Sequence, residues 1–332
     1  MDVLSYLQEK SEIVDEEIDR LIPEDMKPEE FAESTRYLIE AGGKRLRPVL
    51  TLTAAEAVGG NSRKVVKSAA AMEILHTFTL VHDDIMDQDD FRRGAKTTHK
   101  VWNEAMAINA GDALFAKVFR ALTENVKSEA LSLDETVQLF DTISETSFEI
   151  CQGQAMDLGF EKRKKVTESE YLKMVGKKTG ALIEASTKTG AILGRGEPNE
   201  VKALADYGRL LGIAFQIHDD FLGVAGEQEK VGKPVGSDIR EGKWTFLTVH
   251  AYEKASQEDR KDLQEVLGKS DATDEELDRV IEIFRRTGAI DFARSKSKDL
   301  VEQAKSKLDV IPDSESKDFL LELANFSVER EL

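Results

Sequence analysis

Prolines are scarce in this chain, and they fall where a helix would have to stop. Six occur in 332 residues, at positions 23, 28, 48, 198, 234 and 312. Inside a helix a proline removes a hydrogen bond and clashes with the preceding turn. Between the prolines run long segments whose apolar residues recur at helical spacing, with few alternating β-branched stretches. Residues 2–22 show the pattern plainly: Val3, Leu4, Leu7, Ile13, Val14, Ile18 and Leu21 share a face that ends at Pro23. Further helices are expected over 28–40, 65–87, 101–109, 111–126 and 131–154. The expectation is an all-α protein, and with no internal repeat or low-complexity tract, a single domain over 1–332.

Two apolar helices, that over 65–87 and another over 208–224, end in the same unusual way. Leu80-Val81-His82-Asp83-Asp84-Ile85-Met86-Asp87 runs from an apolar helix into a crowd of carboxylates, and Gln216-Ile217-His218-Asp219-Asp220 does so again. Asp83 and Asp87 stand at i and i+4, one above the other on a single helix face. Like charges there repel. A hard divalent cation resolves the repulsion: Mg²⁺, with Mn²⁺ as the alternative, binds through one or two carboxylates and completes its shell with water and substrate phosphates. The basic pair Arg92-Arg93 suits those phosphate oxygens. A solvated helix end in an acidic protein would explain Asp83 alone, but not two such ends.

Charge narrows the partners. Lys and Arg number 46 against 64 Asp and Glu, a net charge of −18, which disfavours nucleic acid and anionic membranes. The same excess also suits a high-salt habitat, which bears on environment and not on reaction. The single cysteine, Cys151, cannot form an internal disulfide and fits a reducing cytosol. The most apolar window, 69–81, is too short to span a bilayer and is interrupted by Glu73 and His76. With no signal peptide discernible, a cytoplasmic protein without an integral membrane segment is expected.

The motifs follow one another in a specific order over residues 36–250. They are Gly42-Gly43-Lys44-Arg45-Leu46-Arg47-Pro48, His76, Asp83-Asp84-Ile85-Met86-Asp87, Arg92-Arg93-Gly94 and Gly111-Asp112, then Lys178-Thr179-Gly180, Gln216 with Asp219-Asp220, and Gly232-Lys233-Pro234 with Asp238 to Lys243. In that order the chain resembles the trans-isoprenyl diphosphate synthases, or polyprenyl synthetases. The likeness is to the short-chain type, most of all an archaeal geranylgeranyl or farnesyl diphosphate synthase. The resemblance implies the isoprenoid synthase fold, one large antiparallel helical domain around a deep apolar cavity, and a homodimer. It implies a Mg²⁺-dependent prenyltransferase that joins isopentenyl diphosphate head to tail with an allylic diphosphate. Geranylgeranyl diphosphate is the expected product, farnesyl diphosphate the shorter alternative.

Matched position by position, the resemblance gives isopentenyl diphosphate to Lys44, Arg47, His76 and Arg93. It gives the allylic diphosphate to Arg92, Lys178, Lys233 and Lys243, and the metal to Asp83, Asp87 and Asp219, with Asp84 and Asp220 in support. Lys178, Thr179 and Gln216 take catalytic places beside the breaking bond. The residues add their own arguments. Three cations at a helix start oppose the helix dipole, so an anion nearby is expected. A lone helical histidine is more often core, but His76, Leu80, Asp83, Asp84 and Asp87 share one face. Gly176 and Gly180 each cost a helix about 1 kcal/mol against alanine, which suits a local opening around Lys178. The glycine-rich stretch 226–243 reads as a loop able to close over a diphosphate.

Product length is expected to rest on Phe78 and Thr79. Phe78 lies about 7.5 Å along the helix axis from Asp83, where a growing chain would descend. In the resembled family aromatics at both positions imply fifteen carbons; this mixed pair, with no insertion between Asp84 and Asp87, implies twenty. If Phe78 is ordinary core, Ile74 or Leu75 would set the floor. One departure stands out: Gly223 occupies the place where many relatives carry a third Asp. Asp219, Gly223 and Glu227 also match the spacing of a terpene cyclase metal motif. A class I terpene synthase, and a catalytically silent subunit of a prenyltransferase, are the competing readings.

Overall fold

A computed structural model describes residues 2–225 and 236–329. Apart from one hairpin, Phe91–Arg92 paired antiparallel with Ala95–Lys96, the described regular structure is helical. In chain order the first helices are α1 (Val3–Leu21), α2 (Glu29–Glu40), α3 (Leu46–Ala57), α4 (Val66–Met86), the single turn α5 (Thr98–Val101) and α6 (Glu104–Glu129). Then come α7 (Leu133–Phe160), α8 (Glu168–Val175), α9 (Ala181–Leu193) and α10 (Pro198–Ala225). Ser237–Glu241, Phe246–Lys254, Gln257–Val266, Asp274–Arg286, Ala289–Lys307 and Glu315–Glu329 complete the described α-helices. The prolines behave as their chemistry requires. Pro28 caps α2, and Pro48 and Pro198 fall in first turns, where a missing N–H breaks no helical bond. None of the described helices is long and apolar enough to cross a membrane.

Packing divides the chain into two compact units: Met1–Glu145 with Leu182–Asp206 and Leu308–Glu322, and Thr146–Ala181 with Tyr207–Lys307 and Leu323–Leu332. In the first, α4 is central, packing most extensively on α6 and then on α3 and α1. Ala69, Ala70, Ala71, Met72, Ile74 and Leu75 of α4 are wholly buried; each large side chain so buried stabilises the fold by about 1.5–3 kcal/mol. The α4–α6 pair is antiparallel. At one end Lys67 Nζ donates to Ser128 Oγ at 3.2 Å and the Ser68 N–H to Asn125 Oδ1 at 3.3 Å. At the other, His82 Nε2 lies 3.2 Å from the Ile108 carbonyl. The expected break before Gly111 does not occur, because α6 is continuous. A Cβ at Gly111 would come within 2.3 Å of His82 Nε2, so this glycine serves the approach of α4 and not a helix end.

In the second unit α8 starts at a capping box, Thr167 and Glu170 each satisfying the other's backbone N–H. The helix does not pass smoothly through the glycine pair: residues Gly176–Gly180 form a π-helical segment. The core is aromatic, with Phe246 stacked on Phe292 at 5.4 Å and tilted against Tyr171 at 5.4 Å. Asp274–Arg286 also begins at a capping box and buries Leu277, Val280, Ile281, Ile283 and Phe284. It is the supporting helix its amphipathic sequence implies.

Candidate active site

The glycine-opened turn before α3 sorts its three cations into different roles. Gly42 and Gly43 hold φ of 86° and 145°, and Arg45, capping α3, is left-handed at 47°. Arg45 is committed to structure: Nε donates to Asp15 at 2.7 Å, Nη1 to Glu73 at 3.1 Å and Nη2 to the Ile39 carbonyl at 3.0 Å. Lys44 stands exposed. Arg47 faces inward, and its Nε is buried without a hydrogen-bond partner among the described residues.

Arg93 reaches the same place from the hairpin. Arg93 and Gly94 form its two-residue turn, both at positive φ (54° and 78°), the conformation that matches strand twist. Its guanidinium lies against Gly43, where a Cβ would come 2.9 Å from Arg93 Cζ. Nη1 donates to the carbonyls of Leu38, at 3.1 Å, and of Gly42, and Nη2 is 3.5 Å from Glu73. A left-handed arginine costs about 1–2 kcal/mol, so two of them here mark a place where backbone strain is tolerated.

Glu73, only 2% exposed, pairs with Arg45 and Arg93 and interacts electrostatically with Arg47, so even with Asp15 on Arg45 three guanidinium groups face two carboxylates. Burial, and then the neighbouring Arg93, push the Arg47 pKa down to about 10 against the pull of Glu73. Burial, followed by Arg47, Arg93, Arg92 and Arg45, holds His76 well below the usual histidine range, so it is neutral at pH 7. In a protein of net charge −18, this is a buried surplus of positive charge. A diphosphate arriving there would relieve it.

Asp83 and Asp87 lie part-exposed at the C-terminal end of α4, the Asp87 N–H bonded to the Asp83 carbonyl at 2.8 Å. Carboxylates at the negative end of a helix dipole are unfavourable without a cation. Asp84 differs. It is 1% exposed, and its Oδ1 accepts from Arg92 Nε at 2.8 Å and pairs with Nη2 at 2.6 Å. Arg92 also pairs with Asp89 at 2.9 Å. Arg92, expected at the allylic diphosphate, is therefore anchored by the acidic cluster itself. Among the described residues no group of three or more acidic, His or Cys side chains converges on one point. The donor set, hard carboxylate oxygens on part-exposed residues, nevertheless has the chemistry of a Mg²⁺ or Mn²⁺ site.

In the second unit the π-helical segment presents Lys178 and Thr179. Lys178 Nζ pairs with Asp157 at 2.6 Å; Lys243 pairs with Glu161 at 2.7 Å and lies 3.5 Å from Asp157. The Thr179 hydroxyl donates to Gln216 Oε1 at 3.0 Å, and Gln216 Nε2 donates to Asp220 Oδ1 at 3.1 Å. Asp220 also accepts from the Tyr171 hydroxyl at 2.5 Å and the Phe246 N–H at 2.8 Å. Burial and the nearby Asp238 raise its pKa to about 7, although all three hydrogen bonds oppose the rise. Asp219 remains part-exposed beside it. A Cβ at Gly223 would make an ordinary contact with the Asp238 carboxylate at 3.4 Å, so another acid stands close to where the motif lacks one. Lys233 lies outside the described residues.

Phe78 packs edge-on to His82, ring centroids 4.8 Å apart, and tilts against Phe115 at 5.0 Å. The Thr79 hydroxyl bonds back to the His76 carbonyl at 2.8 Å. The sequence reading missed Glu73, Asp157, Glu161 and Tyr171. Glu73 could have been found, since it lies three residues before His76 on the same helix face. The others are brought in only by the folding of α7 and α8.

Comparisons with known proteins identify the family. The Polyprenyl synthetase family model matches residues 28–284. A short chain isoprenyl diphosphate synthase of Methanothermobacter thermautotrophicus is 47% identical over 100% of this chain and 99% of its own. A geranylgeranyl diphosphate synthase of Methanosarcina mazei is 44% identical over 100% and 99%. The crystal structure of geranylgeranyl pyrophosphate synthetase from Pyrococcus horikoshii superposes with a TM-score of 0.94 at 42% identity, covering 99% of both chains. The fold is therefore that of the isoprenoid synthases, and the chain belongs to the polyprenyl synthetase family, a prenyltransferase.

Proposed function

We propose that this prenyltransferase condenses isopentenyl diphosphate head to tail with allylic diphosphates and makes chiefly geranylgeranyl diphosphate. The observation that carries the reading is the surplus of guanidinium charge around Glu73, with neutral His76 beside it. A class I terpene synthase ionises a single diphosphate substrate and has no use for a second anion site of this kind. A silent subunit would not need the anchored Arg92 or the opened helix at Lys178. Archaeal relatives named as geranylgeranyl diphosphate synthases support the twenty-carbon product.

In this reading Lys44, Arg47, His76 and Arg93 orient isopentenyl diphosphate, while Arg92, Lys178, Lys233 and Lys243 hold the allylic diphosphate. Asp83, Asp87 and Asp219 would hold Mg²⁺ or Mn²⁺, whose chemistry is to neutralise charge on the leaving diphosphate. Breaking the allylic C–O bond leaves a carbocation, toward which Thr179 and Gln216 turn oxygen dipoles. The isopentenyl double bond attacks that carbon, and the proton lost from the adduct passes to the departed diphosphate. Part-buried phenylalanines beside Phe78 support an apolar lining that keeps water from the cation. Phe78, with Thr79 beside it, is the first stop for the growing chain.

To the same reading belong a cytoplasmic location, one functional domain over 1–332, and a homodimer. The exposed apolar residues Ile108, Leu133 and Val137 support a partner surface. Incubation with Mg²⁺, isopentenyl diphosphate and an allylic primer tests the proposal. The expected outcome is a twenty-carbon alcohol after dephosphorylation. Hydrocarbon formed from the primer alone would favour the terpene synthase, and no product at all the silent subunit.

A further inference from the structure

Lys177 and Lys178 are neighbours in the π-helical segment, and α7 draws them in opposite directions. Glu149, Gly153 and Asp157 follow one another at i, i+4 and i+8 along one face of α7, which sets the two acidic residues about 12 Å apart along the helix axis. Lys178 Nζ reaches Asp157 at 2.6 Å, whereas Lys177 Nζ reaches Gln152 at 2.6 Å and Glu149 at 3.3 Å. Between the two acids Gly153 lets the backbone in. A Cβ there would come 2.3 Å from the Lys178 nitrogen and 2.9 Å from the Lys177 carbonyl carbon. On its other side the segment meets one face of α10. A Cβ at Gly180 would lie 3.3 Å from Arg209 Cδ and one at Gly176 3.6 Å from Ile213 Cδ1, while Thr179 bonds Gln216. Glu149 joins the two faces, since Arg209 Nη1 donates to its second oxygen at 2.7 Å. Burial works to raise the Glu149 pKa, but Arg209 and then Lys177 outweigh it and hold the carboxylate below its ordinary range.

We infer that Glu149, held by Arg209, is a positioning residue: by keeping Lys177 in place it fixes the register of the π-helical turn, and so presents Lys178 and Thr179 to the allylic diphosphate. The inference rests on the reading of the chain as an elongating prenyltransferase. A π turn is rare in itself, and the two glycines in this one weaken the helix further, so the contacts from α7 and α10 decide where it sits. Successive helical residues point about 100° apart. Sliding the turn by one residue would therefore swing Lys178 away from Asp157 and Thr179 away from Gln216. Glu149 and Lys177 touch no reacting atom and act through these neighbours. Glu149 and Arg209 are each 30% exposed, and ion pairs so close to water contribute little to overall stability. Their effect is on placement.

The test is steady-state kinetics of Glu149→Gln, Lys177→Met and Lys177→Arg, with isopentenyl diphosphate and an allylic primer varied in turn. Glu149→Gln and Lys177→Met should each lower kcat about tenfold, because a displacement of about 1 Å in a reacting site can cost as much as a hundredfold. KM for isopentenyl diphosphate should be unchanged, and the thermal midpoint should stay within about 3 °C of the wild type. The double variant should lose no more than either single one, since the two residues act as a unit. Lys177→Arg keeps the cation and should retain the wild-type kcat. Gly153→Ala, which presses on the Lys178 backbone, should lower kcat further with the same KM for isopentenyl diphosphate. Wild-type kcat in Glu149→Gln, or equal losses in Lys177→Arg and Lys177→Met, would overturn the inference. A large fall in thermal midpoint with losses against both substrates would reduce the pair to structural support and overturn it as well. A wild-type chain that elongates no primer would remove the underlying reading, an outcome distinct from these.

Discussion

The two cationic regions of this protein are built on opposite plans. Around Glu73, guanidinium groups outnumber carboxylates; the Arg47 pKa is pushed down by burial and Arg93, and that of His76 by burial and the surrounding arginines. Around Asp157 the cations are lysines already matched by acids, Lys178 to Asp157 and Lys243 to Glu161. Arginine offers a planar, fixed fork, and lysine a mobile point charge. The first region is thus preorganised for an anion, its cost met in folding through Arg45 and Arg93 at positive φ. The second holds its lysines in exchangeable pairs, suited to a group that must later depart. That difference supports the proposed assignment of isopentenyl diphosphate to the first region and the allylic leaving group to the second.

The largest expected effect lies with the carboxylates proposed to hold the metal. Asp87→Ala should lower kcat by about a thousandfold, roughly 4 kcal/mol of barrier, with helical content unchanged by circular dichroism. Near-normal turnover would break the account on the allylic side. Next, Glu73→Gln removes the one buried carboxylate facing the guanidinium groups. Leaving them uncompensated should destabilise the fold by about 3 kcal/mol, read from urea unfolding. Asp157→Asn, whose partner lysines are reachable by solvent, should cost clearly less. Equal costs would erase the contrast between a strained cluster and exchangeable pairs.

The smallest effect is the pH dependence contributed by His76. Its folded pKa lies well below the ordinary value because of burial and then four arginines. The unfolded chain takes up a proton near pH 6.5 and the folded chain does not. The contribution to stability is therefore complete above about pH 6.5 and declines as pH falls below it. Thermal midpoints measured from pH 7.5 to 5.5 should fall less steeply for His76→Gln than for the wild type. Parallel curves would show that the cluster does not suppress the imidazole charge.

Much of the fold is legible in the sequence. The scarcity and placement of prolines gave the helices, and Gly176 with Gly180 marked the place where the helix opens into a π-helical segment. Spacing alone singled out Asp83 and Asp87 as the proposed metal ligands. What could not be read was which of Lys44, Arg45 and Arg47 is structural. Three adjacent cations look alike until Asp15, Glu73 and the Ile39 carbonyl claim Arg45. Gly111 was misread because its reason, the ring of His82, lies on another helix. The pairing of Lys178 with Asp157, and the approach of Asp238 to Gly223, likewise depend on tertiary contacts that no local pattern encodes.

The most direct test of the central claim is a crossed kinetic experiment on Arg93→Ala and Lys178→Ala, varying each substrate in turn. Removing a charged hydrogen-bonding partner costs about 2–3 kcal/mol, or roughly 30- to 150-fold. For Arg93→Ala that loss should appear in kcat/KM for isopentenyl diphosphate, with the allylic KM nearly unchanged. For Lys178→Ala it should appear in kcat and in the allylic kcat/KM, with little change in KM for isopentenyl diphosphate. A reversed pattern, or losses of equal size for both substrates in both variants, would contradict the assignment of the two regions to two diphosphates.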